Sequence, residues 1–351
     1  MKSSNPSPFD ISIVILNYNG KTWLERCVGS LADQTIAPRL QVIIADNLSP
    51  DGSSKMAEDL LTGFPNAKFV QNGGNFGFCE GNNLGAKHAT GRYLFFLNND
   101  TWLERDCMEI LLSKADQFGV TAANPLVMDY GTNDFQLIGG GGFDMFGIPN
   151  ALPEKKQDCE IFSPCGCSYL IDREMFWKVG GFDPAIFMYS DEIDLSWRVR
   201  LAGGKIMGFP GARMHHRGSA SVNPAGGAAV VEFRTSETKR YFTNRNGLYV
   251  LLKNGQNFFL IFALLNVLLL LVEMLAAALL IRRWSFLNKS YFQAFKDLWG
   301  LRQHIRDQRK QIRSFSKVGD LQFLKFVTPK PSRWYEISKL FKEGVPKVSK
   351  Q

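Results

Sequence analysis

Between residues 11 and 97, four short apolar runs (11–16, 41–45, 68–71 and 93–97) alternate with three helix-length amphipathic stretches (22–31, 53–61 and 82–90). Strands separated by helical crossovers must lie parallel, and a parallel sheet must be covered by helices on both faces, so the pattern predicts an open α/β sheet. Such sheets bind ligands beyond the carboxyl ends of their strands. Those positions are polar here: Asn17, Tyr18, Asn19 and Gly20 follow the first run, Asp46, Asn47 and Ser49 the second, and Asn98, Asn99 and Asp100 the fourth. No G-x-G-x-x-G follows the first strand and no Walker lysine pattern occurs, which argues against a dehydrogenase or a P-loop enzyme.

These segments resemble the inverting GT-A glycosyltransferases of family two, particularly the bacterial rhamnosyltransferase-like branch, over residues 10–250. The resemblance implies a Rossmann-like, mostly parallel sheet, with a nucleotide-sugar half at about 10–125 and an acceptor half at about 126–250. In the family, the turn after Ile13-Val14-Ile15-Leu16 (Asn17, Tyr18, Asn19) holds the nucleotide base and ribose. The aspartate of Val42-Ile43-Ile44-Ala45-Asp46-Asn47 accepts the imide N–H of a pyrimidine, which makes Asp46 the expected reader of uracil or thymine. Asn75-Phe76-Gly77-Phe78-Cys79-Glu80-Gly81-Asn82 matches an Asn- and Gly-rich segment at a helix start. Its glycines admit close backbone approach, and N–H groups from Asn82 onward are expected near the donor. Phe95-Phe96-Leu97-Asn98-Asn99-Asp100 occupies the place of the family's D-x-D-like motif, with Asn98 replacing the first aspartate. Asp100 is then the expected ligand of Mg2+ or Mn2+, a hard cation suited to the departing diphosphate.

The acceptor half carries Gly180-Gly181-Phe182-Asp183 and then Tyr189-Ser190-Asp191-Glu192-Ile193-Asp194-Leu195-Ser196-Trp197-Arg198. An inverting transfer needs one carboxylate to take the acceptor hydroxyl's proton. The resemblance points to Glu192; Asp191 remains an alternative, since many members show the two acids in reverse order. Asp194 is expected to cap the helix or pair with Arg198. His215-His216-Arg217-Gly218-Ser219-Ala220-Ser221 resembles the segment that approaches diphosphate and metal, with His216 as ligand and His215 as fallback. Arg245 matches a helix near the substrate cleft, where it could meet an acceptor phosphate.

The implied reaction moves a sugar from dTDP-rhamnose or a UDP-sugar to a hydroxyl, with a lipid-linked saccharide of cell-surface polysaccharide synthesis as the expected acceptor. Two other classes compete. A sugar-1-phosphate nucleotidylyltransferase would open with a glycine-rich basic loop that is absent after Asn17, and an inactive membrane-bound scaffold would have no reason to keep acids at 100, 191 and 192.

Charge is uneven along the chain. Residues 282–351 hold 17 Lys and Arg against 5 Asp and Glu, a surplus of +12, so a net +8 leaves residues 1–281 at −4. This basic tail follows an apolar segment, 258–281, which suits an anionic membrane surface better than nucleic acid. As one helix the segment would measure about 36 Å, enough for a bilayer core of about 30 Å. A single crossing, however, would carry the basic tail away from the catalytic domain, against the cytoplasmic preference of Lys and Arg. Asn266 and Glu273 also share one face of that helix, where an unpaired Glu is costly in lipid. The expectation is therefore an interfacial or re-entrant segment within 251–284 and a cytosolic tail, 285–351, that rests Trp284, Trp299 and Trp334 on headgroups. No apolar run precedes residue 11, so the catalytic part is expected at the cytoplasmic face of a bacterial inner membrane, with its six cysteines reduced. Oligomeric state is left open by the sequence.

Overall fold

In a computed structural model, β1 (Ile11–Asn17) is the axis of a ten-stranded sheet. Its Ile and Val side chains are buried on both faces, as a central parallel strand requires. The alternation continues through α1 (Leu24–Ala32), β2 (Leu40–Asp46), α2 (Ser53–Leu60), β3 (Ala67–Gln71), α3 (Gly77–Ala86) and β4 (Tyr93–Asn98). The structure describes residues 8–132, 134–218, 234–256, 258–332 and 347–349. Two compact units emerge: Met1–Gly140 with Ala151–Arg200 and Gly204–Ala220, and Gly141–Asn150 with Leu201–Gly203 and Ser221–Gln351. The boundaries expected at 250 and 284 differ from this division, because the helix beginning at Glu237 groups with the C-terminal unit.

In the first unit β5 (Thr101–Leu103), α4 (Cys107–Phe118), β6 (Ala122–Asp129), β7 (Ser168–Asp172), α5 (Arg173–Lys178), α6 (Asp191–Leu201) and β8 (Ile206–His216) follow. The sheet order is Cys159–Glu160, β8, β6, β7, β4, β1, β2, β3, with β5 beside β8 and Phe135–Leu137 beside β6. Strands β1 to β4 are mutually parallel, β7 runs antiparallel between β4 and β6, and β8 is parallel to β6. Registers align Asn17 with Asp46 and Leu16 with Asn98, so three polar strand ends stand side by side. Between Phe209 and Arg213 a bulge interrupts the pairing of β8 with β6, after which His215 lies opposite Trp102 and His216 opposite Thr101.

Helix α3 starts at Gly77, five residues before the expected position. Gly77 has φ of +74°, and the N–H groups of Phe78 and Cys79 donate to the carbonyl of Phe187, which fixes the first turn from outside the helix. Gly81 and Gly85 face the sheet. A Cβ on Gly81 would come within 2.6 Å of Leu16 Cδ1, and one on Gly85 within 2.7 Å of Val14 Cγ1, so only glycine allows this close packing. Phe96 packs at 5.0 Å from Phe176 and 4.8 Å from Phe182 in a buried aromatic cluster. Truncating such a ring costs about 3–5 kcal/mol.

The C-terminal unit contains α7 (Glu237–Asn254), α8 (Phe259–Leu280), α9 (Ala294–Gly300) and α10 (Arg302–Phe315). Helix α8 is the one described helix long and apolar enough to cross a membrane. Its two polar interruptions are satisfied within the unit: Asn266 Nδ2 donates to the Phe146 carbonyl at 2.8 Å, and Glu273 lies 3.7 Å from Arg240. Helix α7 thus supplies a counter-ion for Glu273. Ile261, Leu264, Leu268, Val272, Leu275 and Leu279 leave an exposed apolar stripe at helical spacing. Trp284 and Trp299 are exposed, whereas Trp334 lies outside the described residues.

Candidate active site

At the ends of β1 and β2 a hydrogen-bond network is organised around Asp46. Its carboxylate, fully buried, accepts from Asn17 Nδ2 (2.7 Å), Ser49 N and Oγ (3.0 and 2.7 Å), Ser54 Oγ (2.5 Å) and Gln71 Nε2 (3.0 Å). Burial would raise its pKa, but these bonds outweigh burial and hold the carboxyl below its ordinary value. A carboxylate has about four lone-pair sites, and five protein donors already fill them. In this structure Asp46 fixes Asn17, Ser49 and Gln71 in place.

Asn17, also buried, extends the network by donating to Ser53 Oγ and accepting from Asn99 Nδ2 at 3.0 Å. Gly20 lies against this pair, for a Cβ there would fall 2.1 Å from Asn17 Oδ1. Tyr18 and Asn19 are exposed at the rim, Asn19 with φ of +56°. Asn75 is exposed and accepts from the Gly77 N–H at 3.0 Å, while buried Asn47 donates to the Gly77 carbonyl at 3.0 Å. Asn82 is not at a helix start, as expected from the sequence. It is buried mid-helix and donates to the Phe78 carbonyl, so the N–H groups assigned to donor binding serve the helix itself.

At the end of β4, Asn98 uses its backbone N–H on the Cys167 carbonyl (3.0 Å), and Asp100 Oδ1 stands 3.4 Å from His216 Nε2. Adjacent residues of a strand face opposite sides. His215 accordingly turns away, stacking on Trp102 at 3.8 Å, bonding the Asp129 carbonyl and facing Glu104. The fallback His215 is thus not brought to Asp100. His216 also hydrogen-bonds Cys167, a free thiol that shares a second hydrogen bond with Cys165. The Cys165 bond and the His216 charge draw Cys167 down to about 5 against burial. Burial opposes charge on His216, but Cys167 and Asp100 outweigh it and raise His216 well above the usual imidazole range. The sequence reading missed Cys167 as a partner of His216. Its signal was position, immediately before the strand that inserts beside β4.

Asn124 holds the turn at 165–168, accepting from Cys165 N and Ser168 Oγ. Glu192 faces this turn: a Cβ on Gly166 would lie 3.8 Å from its Oε2. Burial raises Glu192 to about 7, with Cys167 adding to the shift, and burial with neighbouring Glu192 raises Asp191 well above the carboxylate range. Asp194 pairs with Arg198 at 2.6 Å, both buried, and Arg198 also donates to the carbonyls of Val179 and Gly181. That pair ties α6 to the Gly180-Gly181 turn. Before α6, Phe187, Tyr189 and Ser190 all have φ between +65° and +68°. Left-handed non-glycine residues cost about 1–3 kcal/mol each and cluster at functional sites.

Among the described residues no group of three or more His, Cys, Asp or Glu side chains is set to hold a metal. Asp100 and His216 alone offer one oxygen and one nitrogen, a set that fits Mg2+ or Mn2+ only if substrate oxygens and water complete the coordination. Arg245 belongs to the C-terminal unit, where its guanidinium bonds Asn246 Oδ1 and lies over Tyr241 and Phe242. Ser219, Ala220 and Ser221 of the histidine motif lie outside the described residues.

Residues 12–180 match the family described as Glycosyl transferase family 2. Over 223 residues the chain is 23% identical to polypeptide N-acetylgalactosaminyltransferase 10 of Rattus norvegicus, which covers 58% of this chain but only 37% of that enzyme. The chain thus spans little more than a third of the length of that relative. It is 26% identical over 246 residues to N-acetylglucosaminyl-diphospho-decaprenol L-rhamnosyltransferase of Mycobacterium tuberculosis, covering 61% of this chain and 79% of that one. Among solved structures, GalNAc-T7 with UDP, GalNAc and Mn2+ aligns with a TM-score of 0.53 at 20% identity, over 60% of this chain and 44% of that one. TarS 1-349 of S. aureus in complex with UDP aligns at 0.50 and 13%, over 71% and 67%. At such identities the likeness is one of fold, the GT-A architecture.

Proposed function

We propose that this chain, whose residues 12–180 form a family 2 glycosyltransferase domain, transfers a sugar with inversion from a nucleotide-diphosphate donor to an acceptor hydroxyl. The observation that carries this reading is that the turn before β7 links Glu192, which faces Gly166 and lies within the electrostatic reach of Cys167, to the Asp100–His216 pair through the bond between Cys167 and His216. The strand ends Asn17, Asp46, Asn98 and Asn99 form the donor side, with Tyr18, Asn19, Asn75 and Gly77 at its rim. Glu192 takes the proton of the attacking hydroxyl as its oxygen bonds the anomeric carbon, and the bond to the diphosphate breaks with its electron pair leaving on the phosphate oxygen. Glu192 is preferred to Asp191 because its carboxylate faces the turn at 165–168, where a Cβ on Gly166 would lie 3.8 Å from Oε2. Asp100 and His216 would hold Mg2+ or Mn2+ together with the diphosphate; when bound, the cation supplies charge stabilisation for the leaving group. His216 would serve as a ligand through its neutral imidazole, and Cys167 beside it would tune that nitrogen.

The mycobacterial relative supports dTDP-rhamnose as donor ahead of a UDP-sugar, and its diphospho-decaprenol acceptor supports a lipid-linked saccharide. Helix α8 and the basic tail support work at the cytoplasmic face of a bacterial inner membrane, with the tail against anionic lipid. Arg245 is proposed to meet an acceptor phosphate. The test is turnover of dTDP-rhamnose and UDP-glucose by the purified chain, with Mg2+, with Mn2+ and with chelator. Native protein is expected to consume at least one donor only with a cation, and Asp100→Ala to lose that cation response. Undiminished turnover of native protein in chelator would remove the metal from this reading; no turnover or binding of either donor would remove the transfer itself.

A further inference from the structure

The C-terminal unit contains a cavity of about 560 Å³, within the range of about 300–1,000 Å³ typical of ligand pockets. Leu260, Leu298 and Ile305 form its apolar wall, and Arg302, Arg306 and Arg309 stand along one edge. The arginines are spaced four and three residues apart on α10, so they share a face and cover about 10 Å of it. Trp299, 71% exposed, stands at the same opening, with Arg302 at 5.3 Å from its ring.

An arginine row on a helix is ordinarily a solvated face, but three observations separate this one. The sole acid of α10, Asp307, is engaged with Gln303 and with Lys310 at 3.7 Å. Arg309 is held inward by the carbonyls of Leu252 and Gly255, both at 2.6 Å, and burial together with nearby Arg313 pushes its pKa down, only partly offset by Asp320. Leu260 belongs to α8, the bilayer-length helix, so the cavity opens onto the most apolar element of the unit.

We infer that this cavity binds a membrane amphiphile bearing a phosphate monoester, its aliphatic chain lying along Leu260, Leu298 and Ile305 and its phosphate bonded by Arg302 and Arg306. Guanidinium groups bond phosphate in two-pronged fashion, and a chain in the cavity removes apolar surface from water. The site is independent of the sugar-transfer reading, and neither stands or falls with the other. It is tested by calorimetry on the full chain with three probes: dioctanoyl phosphatidic acid, dioctanoylglycerol and inorganic phosphate. The first should bind saturably and the other two at least about tenfold more weakly, since each keeps half of the recognition. The double variant Arg302→Gln/Arg306→Gln, at exposed positions, should weaken phosphatidic acid binding by at least about tenfold with an unchanged circular dichroism spectrum. Leu298→Trp, which fills the cavity, should weaken it too while leaving inorganic phosphate unaffected. Inorganic phosphate binding as tightly as the lipid would reduce the site to a free-anion site and overturn the inference. Native affinity in both variants would do the same.

Discussion

The two sides of the proposed transfer site are built by opposite means. The donor side, at the ends of β1, β2 and β4, is saturated: Asp46 and Asn17 spend their polar atoms on one another and on serines, and backbone groups close the remaining gaps. The acceptor side, around Glu192 and Cys167 and adjoining the diphosphate-facing His216, is loaded: three left-handed non-glycine residues precede or adjoin α6, and the titratable groups here are moved toward neutrality or away from their ordinary forms. A saturated network holds shape and resists change of charge, as binding a fixed ligand requires. A loaded one keeps protons movable, as bond-making requires.

This contrast can be broken by experiment, and the largest effect should come from the loaded side. Glu192→Gln should lower the rate of transfer by about 10²–10⁴ and leave nucleotide affinity within a few fold, measured by single-turnover kinetics beside calorimetry. Near-native turnover in Glu192→Gln with loss in Asp191→Asn would move the base by one residue; loss in neither would dissolve the contrast.

On the saturated side, Asp46→Ala should weaken UDP or dTDP binding by about 1–3 kcal/mol, because Asn17, Ser49 and Gln71 lose the acceptor that orients them. The bound donor's chemical step should change little. A variant that binds both nucleotides as tightly as native protein would show that the hub does not shape the nucleotide site.

The smallest effect is the sharpest discriminator. With Glu192 raised to about 7 and required in its ionised form, kcat/KM should climb about tenfold per pH unit below that value and level off above it. Asp46, depressed instead, stays ionised throughout this window and should contribute no inflection. Its contribution to stability is present above its ordinary pKa and lost only as pH falls through the depressed one. The inflection near 7 should persist in Asp46→Ala; its disappearance there would mean that the two sides are coupled.

Much of the donor side was legible in the sequence. Strand length, period and the polar residues after each run are local properties, and parallel pairing then forces neighbouring strand ends together, which is why Asn17, Asp46 and Asn98 align. The start of α3 was not legible, because a carbonyl more than a hundred residues away, that of Phe187, captures its first N–H groups. Nor was the occupancy of Asp46, since Gln71 and Ser54 arrive from separate elements.

The chain's own pattern of apolar runs and helix-length stretches therefore determined the sheet, its helical layers and the row of polar strand ends, because burial of alternating surfaces leaves few other arrangements. Tertiary structure alone decided the rest. A bulge between Phe209 and Arg213 sets which histidine faces Asp100, the antiparallel insertion of β7 brings Cys167 to His216, and packing of α7 on α8 gives Glu273 its arginine. Each of these joins residues far apart in sequence, and such contacts depend on chain closure and packing that no local period encodes.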